Sequence, residues 1–437
     1  MNLKIRDAGL VPKLSAAVSA DPLLRPYQAK LGDRVRAFAS NTSNLSMHYK
    51  ILWHRDRVDA ALRGLPQEIM PVTMEFVPSL ECVYQCPHCT YSGWKERTIA
   101  DLSKRVMPYE LMMTLLDKLE EADVKGVIFT GGGEPFANRD TLKGLEYAGG
   151  KTGTFQTGLF TNGFLLSERS IQVLAGLPLA FIRLSLNTAD PGDYMRFHGL
   201  NSPRYFEQVK RNIALLARAG SENPTEFNLS AIINQTNVDR MTSIGTFLKE
   251  LMDNDPRARI NTVQIKPVIN YGQIDPDTGK QISADIAERA REGFEAIRAM
   301  LDPYPIDLVF AASLFEEAVE RSAEDPDTTN NCLSVNLAGS IAYDGRVYLC
   351  SERDGDPRFM AGDLSKDDLR TIWSGQQRTD LLSERTPCPP SCKLRAMNGL
   401  LGELTGLSPL SPAQIIEMQS FLDIIRNGID PGAVNFI

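Results

Sequence analysis

The sequence has few features that would place it in a membrane, a secretory compartment or a nucleic-acid complex. No apolar run reaches the roughly 18 residues that a membrane-crossing helix needs. The longest, Val173 to Ile182, falls well short and is interrupted by Gly and Pro. Met1 to Leu10 mixes charges with apolar residues and lacks the apolar stretch of a signal peptide. Excess positive charge is also missing. The formal net charge is −8, which argues against a phosphate backbone or an anionic membrane as the main partner. There is no internal repeat and no low-complexity segment. These absences predict a cytoplasmic protein with no nucleic-acid and no membrane partner.

Cysteine is scarce as well, seven in 437 residues, and the number is odd. Secreted disulfide frameworks tend to be short with an even count. Grouped cysteines in a long chain point instead to metal or redox chemistry. The sequon Asn41-Thr42-Ser43 is then a chance match. The remaining composition, 43% apolar and 23% charged, is that of an ordinary globular protein. The length suits about two or three domains.

Three regions are expected. Residues 1–69 read as a helical N-terminal extension, with a charged helix from His54 to Arg63 that stops at Gly64. Over 70–310, short β-rich runs alternate with amphipathic helical runs. The strands expected are Thr73–Val77, Gly126–Thr130, Phe155–Phe160, Phe181–Leu186, Phe227–Ile233 and Val263–Val268. Between them Glu110–Ala122 sets Leu111, Leu115, Leu116 and Leu119 at helical spacing. Ser167 caps Glu168–Ala175, and Tyr205–Ala217 and Val238–Met252 follow. This alternation predicts an α/β fold with a parallel sheet. About six such units suit a partial (β/α)6 barrel better than a closed eight-stranded one. Over 311–437 a small region built around cysteines is expected. There Asp344-Gly345 is a hairpin signal between Ser334–Ala342 and Val347–Cys350. Ser365, with Asp368 three residues on, opens a helix toward Trp373.

Two loops carry chemistry. Cys82-Val-Tyr-Gln-Cys86-Pro-His-Cys89 follows the first strand, at the strand end where barrels place active sites. Three thiolates can hold three irons of a cubane cluster and leave the fourth open to an outside ligand. A zinc site or three core cysteines is the competing reading. Phe129-Thr130-Gly131-Gly132-Gly133-Glu134-Pro135 ends the second strand. Its glycines permit close backbone approach, and Glu134 can accept hydrogen bonds from an ammonium group. Together the loops could hold the amino-acid end of a ligand against a cluster.

In these two motifs, C-x3-C-x2-C and Gly-Gly-Glu-Pro, the chain resembles the radical S-adenosylmethionine (SAM) superfamily over about residues 70 to 270. The resemblance implies a [4Fe–4S] cluster on Cys82, Cys86 and Cys89, with the amine and carboxylate of SAM on the open iron. It implies that Gly132, Gly133 and Glu134 bind the SAM amino group. Reductive cleavage would then give methionine and a 5′-deoxyadenosyl radical that abstracts hydrogen from substrate. An external reductant such as flavodoxin or ferredoxin would supply the electron. Relatives usually carry an aromatic residue before the third cysteine; here it is His88, which could stack on adenine or stand at the surface. Ser185 and Asn187, in Leu184-Ser185-Leu186-Asn187, resemble ribose or SAM contacts. Arg196 sits where relatives often face the SAM carboxylate, and a solvated arginine is the alternative. Asn162 either faces the pocket or forms a turn.

Cys332, Cys350, Cys388 and Cys392 remain. Four thiolates can saturate a second [4Fe–4S] cluster; a four-cysteine zinc ribbon or unconnected thiols compete with that reading. The run C-x12-G-x4-C, Gly362-Asp-Leu with the helix to Trp373, and the closing cysteine pair resemble the Twitch subset of the SPASM/Twitch family. That resemblance implies one auxiliary cluster, which accepts an electron or shapes the pocket.

The substrate is less legible. By analogy with relatives in antibiotic pathways, a small polar metabolite such as an aminosugar or aminocyclitol is expected, dehydrogenated, dehydrated or epimerised. The alternatives are a ribosomal peptide to be crosslinked or epimerised, and a non-catalytic iron–sulfur electron carrier. Tyr84, Tyr91, Lys266 and Asn270 are candidate pocket residues.

Overall fold

The computed structural model describes residues 4–41, 47–89, 105–220, 224–269, 282–320, 332–383, 392, 394–430 and 434–436. Tyr91, Asn270 and Cys388 lie outside these residues. The chain divides into two compact units, one of 1–73, 331–339 and 394–437, the other of 74–330 and 340–393.

The first unit is helical and draws on both chain ends. Helices Leu10–Ala16, Arg25–Asn41 and Arg55–Leu62 come from the N-terminal side, Arg395–Gly406 and Pro412–Gly428 from the C-terminal side. Leu14, Val35, Leu62, Leu401 and Leu422 belong to one core and are fully buried, so segments far apart in sequence supply each other's apolar partners. The helix expected at His54–Arg63 is Arg55–Leu62, ended by Gly64 at φ +75°. Strands Lys4–Ile5 and Ile429–Asp430 pair antiparallel at the edge.

The second unit is built on a sheet whose strands we number β1 Thr73–Phe76, β2 Gly126–Phe129, β3 Gln156–Thr161, β4 Phe181–Ser185, β5 Glu226–Ile233, β6 Thr262–Pro267, β7 Asp307–Phe310, β8 Ala338–Ile341, β9 Arg346–Tyr348 and β10 Met360–Asp363. Their order is β10-β9-β8-β1-β2-β3-β4-β5-β6-β7. The sheet is therefore open, with β10 and β7 at its edges. From β2 to β7 each strand runs parallel to the next, and helices separate them in sequence. This is a partial barrel of α/β type. The six expected strands form within a residue or two of their expected ends, and β7 adds a seventh.

Three differences from the sequence reading have local causes. The hairpin around Gly345 (φ +88°) extends the barrel sheet, because β8 lies beside β1. Helix Tyr109–Glu121 reaches the turn that follows β10, since Lys118 Nζ donates to the carbonyls of Leu364 at 2.6 Å and Asp367 at 2.8 Å. The helix expected from Ser365 starts one turn later. Asp368 is its N-cap, accepting from Thr371 N at 2.7 Å, while Ser365 bonds Asp363 in a turn. Finally, Pro191–His198 is a helix. Asp190 caps it, Pro191 opens it and Gly199 ends it at φ +62°, an arrangement that satisfies both helix ends.

Below the strand ends, β3 and β4 carry a packed aromatic cluster. Phe181 and Arg183 share a face of β4. The Arg183 guanidinium lies 5.1 Å from the centre of the Phe160 ring and 5.6 Å from that of Phe181. A Cβ on Gly158 would come within 2.3 Å of the Phe181 ring, so the ring covers a strand that has no side chain there.

Candidate active site

The site is assembled from three loops at the carboxyl ends of β1, β2 and β3, and from the helix Pro191–His198. The cysteine loop is braced before it reaches its first cysteine. Ser79 is fully buried, and its hydroxyl accepts from Glu81 N at 2.9 Å. Glu81 is 3% exposed and is held by Arg105 at 2.7 Å.

The glycine loop lies directly on this brace. Gly133 N donates to Ser79 O at 3.2 Å and Glu134 N to Glu81 O at 2.7 Å. A Cβ on Gly133 would stand 2.1 Å from Glu81 O, and one on Gly131 would stand 2.9 Å from Gly133 O. Bare glycine is thus required by the protein's own backbone. The close approach made by Gly133 is to the cysteine loop. Gly132 is buried between them.

Glu134 is 2% exposed. Its Oε1 accepts from Thr161 Oγ1 at 2.6 Å and from Phe136 N at 3.2 Å, and its Oε2 accepts from Asn162 N at 2.8 Å. Burial pushes this carboxyl up from 4.5 to about 7, against three hydrogen bonds that favour its ionised form. The side chain therefore ties the β2 loop to the end of β3. Its carboxylate is already engaged by protein donors, which leaves backbone groups of the loop as the other means of gripping a ligand.

Cys82, Cys86 and Cys89 are each partly exposed. Two of their sulfurs already face protein donors. Cys82 Sγ accepts from Tyr84 N at 3.4 Å and from Asn162 Nδ2 at 3.8 Å; Cys86 Sγ lies 3.2 Å from His198 Nδ1. Donors aimed at sulfur suit thiolates and the ligands of an iron–sulfur cluster. Among the described residues no three Cys, His, Asp or Glu side chains converge as they would around a single ion. A cubane does not ask that of three cysteines, since each thiolate takes a separate iron. The residues present fit a cluster.

The helix Pro191–His198 closes the other side. Gln85 N donates to His198 O at 3.0 Å, and a Cβ on Gly199 would lie 2.4 Å from Gln85 O. The Tyr84 and Tyr194 hydroxyls meet at 2.8 Å. Both rings are buried, and burial pushes both phenols well above their ordinary range. Tyr84 is thus part of the packing. His198 is 2% exposed, and desolvation holds its imidazole well below the usual histidine value. Nothing in the immediate sequence joins His198, Tyr194 and Thr161 to the cysteine loop. The cap signals of Pro191–His198 were readable, however, and place Tyr194 and His198 four residues apart on one helix face.

The other expected site residues fall out as follows. Asn162 both faces Cys82 and forms a turn, its Oδ1 accepting from Phe164 N at 3.0 Å. The His88 ring packs on Phe197 with centroids 4.1 Å apart. Ser185 ends β4 in register with Ser230. Asn187 is buried, its Oδ1 accepting from Ile232 N at 2.8 Å. The Arg196 side chain is 62% exposed and is paired with Asp193. Lys266 is half-buried on β6. Cys332 precedes the turn Leu333–Asn336, Cys350 precedes the turn Ser351–Arg353, and Cys392 is partly exposed.

The model of the radical SAM superfamily matches residues 76–245, which contain both loops and the helix Pro191–His198. The chain belongs to that superfamily. A second match, to an iron–sulfur cluster-binding domain of the SPASM type, covers residues 332–394. That span contains Cys332, Cys350, Cys388 and Cys392. The chain is thus a radical SAM enzyme with a C-terminal cluster-binding domain, and its cofactors are two [4Fe–4S] clusters and SAM. No curated protein matches it. Among solved structures it is similar to Streptococcus suis SuiB bound to S-adenosylmethionine, at 17% identity and TM-score 0.53, over 73% of this chain and 69% of that one. SuiB bound to its precursor peptide SuiA gives the same score and identity, over 73% and 68%. It is also similar to anSMEcpe with bound AdoMet, at 13% identity and TM-score 0.52, over 80% of this chain and 99% of that one. These likenesses establish a common fold. No described helix is long and apolar enough to cross a membrane.

Proposed function

We propose that Cys82, Cys86 and Cys89 hold the SAM-cleaving cluster and that the Gly131–Glu134 loop holds the amino-acid end of SAM. The observation that carries this reading is the pair of bonds from Gly133 N to Ser79 O and from Glu134 N to Glu81 O, which fasten the glycine loop to the cysteine loop. Bound there, the cluster and SAM supply a 5′-deoxyadenosyl radical able to remove a hydrogen atom from a substrate. The chain's own residues orient and shield. Glu134, Thr161 and Asn162 lock the β2 and β3 ends together, and Gly132 and Gly133 offer backbone to the ammonium group. Ser185 and His88 stay in the proposed contact set. Asn187 and Arg196 stay in it too, through amide and guanidinium hydrogens that the bonds to Ile232 N and Asp193 do not use. Cys332, Cys350, Cys388 and Cys392 hold the auxiliary cluster, and an external one-electron donor such as flavodoxin or ferredoxin supplies reducing equivalents.

The reaction we propose is of oxidoreductase or lyase type on a small polar metabolite such as an aminosugar or aminocyclitol. What supports this reading is analogy with relatives that carry one auxiliary cluster and act in antibiotic pathways. A ribosomal peptide is the second reading, favoured by the similarity to SuiB, which has been seen with its precursor peptide. An electron carrier would have no need of a SAM-gripping glycine loop.

Anaerobic protein incubated with reductant and SAM should release 5′-deoxyadenosine. Its absence from protein with a full iron complement would favour the carrier. Deuterium transferred into that product from a labelled aminocyclitol, and not from a labelled peptide, would support the metabolite reading; the reverse would replace it.

A further inference from the structure

We infer that His198 is a positioning residue for the cluster: its Nδ1–H donates to Cys86 Sγ and makes the SAM-cleaving cluster easier to reduce. The inference rests on the proposed role of Cys86 as a cluster ligand.

The geometry assigns the bond. His198 Nδ1 lies 3.2 Å from Cys86 Sγ. The ring is held there from several sides. Tyr84 packs at 4.8 Å between centroids, Tyr194 at 4.4 Å and Phe197 edge-on at 5.2 Å. The backbone of His198 is fixed by the bond from Gln85 N at 3.0 Å, so the helix end and the cysteine loop cannot drift apart independently. Gly199, for which a Cβ would lie 2.4 Å from Gln85 O, permits that contact.

The proton's place follows from the partners. An iron-bound thiolate carries no hydrogen, so a bond at this distance requires hydrogen on Nδ1. The other ring nitrogen, Nε2, is buried and has no hydrogen-bond partner among the described residues. With the proton on Nδ1, Nε2 is left as an unfilled acceptor, which is tolerated better in an interior than an unfilled N–H. The same choice of tautomer therefore satisfies the sulfur and avoids a stranded donor.

The consequence is electrostatic. Reduction adds one electron from the external donor, with no bond made or broken and no proton moved. The added negative charge spreads onto the thiolates, and an N–H aimed at sulfur stabilises the reduced form more than the oxidised one. Tyr84 N and Asn162 Nδ2 play a similar part at Cys82, at 3.4 Å and 3.8 Å. His198, like Tyr84, is almost fully buried, and a bond held away from water is stronger.

The test is a reductive titration of the anaerobically reconstituted full chain, followed by electron paramagnetic resonance. The cluster is identified by the signal that changes on adding SAM. His198→Phe keeps a ring and removes the donor; His198→Asn returns an amide N–H near the Nδ1 position. The wild-type protein is measured first. If no signal responds to SAM, the reading of Cys86 fails, independently of His198. If one does, H198F with wild-type iron content should titrate at a lower potential. A tenfold fall in the reduced fraction at fixed solution potential corresponds to about 59 mV for one electron. H198N should recover most of the shift. H198F titrating at the wild-type potential would overturn the inference. Should H198F fail to hold iron, H198Q decides, because its amide reaches the Nε2 position instead. A lowered potential supports the role, and an unchanged one refutes it.

Discussion

The middle and the carboxyl ends of the parallel strands solve different problems with similar residue types. Mid-strand, Arg183 is enclosed by the Phe160 and Phe181 rings and meets Gln264 at 3.5 Å. Burial brings its guanidinium down to about 10, and no neighbouring loop depends on it. At the carboxyl ends three buried polar groups join separate segments: Glu134 ties β2 to β3, Tyr84 joins Tyr194, and His198 joins Cys86. The middle is filled, and the carboxyl end is cross-braced around three partly exposed thiols. The difference teaches that burial of a charge does not mark a site by itself. The site is marked where buried polar groups hold backbone segments in register beside exposed ligating atoms.

Substitutions in the two regions should therefore behave differently. The largest effect is expected for Gly133→Ala. Its methyl would collide with Glu81 O, which is backbone and cannot swing aside, so the cysteine and glycine loops must part. A loss of about 3 kcal/mol in stability is expected, read from the urea midpoint, together with loss of SAM binding. Wild-type values for both would break the account of the braced loops.

Next is the pH dependence contributed by Glu134. Its folded value, about 7, lies above its ordinary 4.5. The folded chain therefore holds this proton more tightly than the unfolded chain. The stabilisation is complete below the unfolded value and is lost as pH rises through about 7. The span is on the order of 3 kcal/mol. In the absence of SAM, urea midpoints should fall between about pH 5 and about pH 8, and Glu134→Gln should flatten that slope. An identical slope in the variant would assign it to other groups.

Away from the carboxyl ends the effects should be small. Arg183→Met is expected to change stability by less than about 1.5 kcal/mol and to leave 5′-deoxyadenosine release intact. A large loss of that activity would show that the filled middle takes part in the chemistry. Smallest of all is Gly153→Ala, in the turn before β3. Nothing lies within 4 Å of its added Cβ, so a change within about 0.5 kcal/mol is expected.

Much of this was legible in the sequence, for identifiable reasons. The barrel strands were found within a residue or two because short apolar runs are bounded by Gly, Asn and charged turns. Ser167 caps its helix through a reciprocal bond with Ser170. The two motif loops announced themselves by spacing. β7 did not, because its four residues are only partly buried and carry no alternation. The helix Pro412–Gly428 was missed although Ser411, Pro412 and Gln414 form a capping box. That Gly133 also packs on the cysteine loop was not legible, because a sequence cannot say which backbone lies nearby. The bond from His198 to Cys86 spans 112 positions, and local pattern carries no trace of it.

The central claim is that the thiol trio beside the glycine loop binds the iron that SAM approaches. It is tested most directly by electron paramagnetic resonance of the reduced protein, with and without SAM. One signal should change when SAM is added, and it should vanish when Cys82, Cys86 and Cys89 are replaced by alanine, with the second cluster's signal remaining. A SAM-responsive signal that survives in the triple variant would contradict the account.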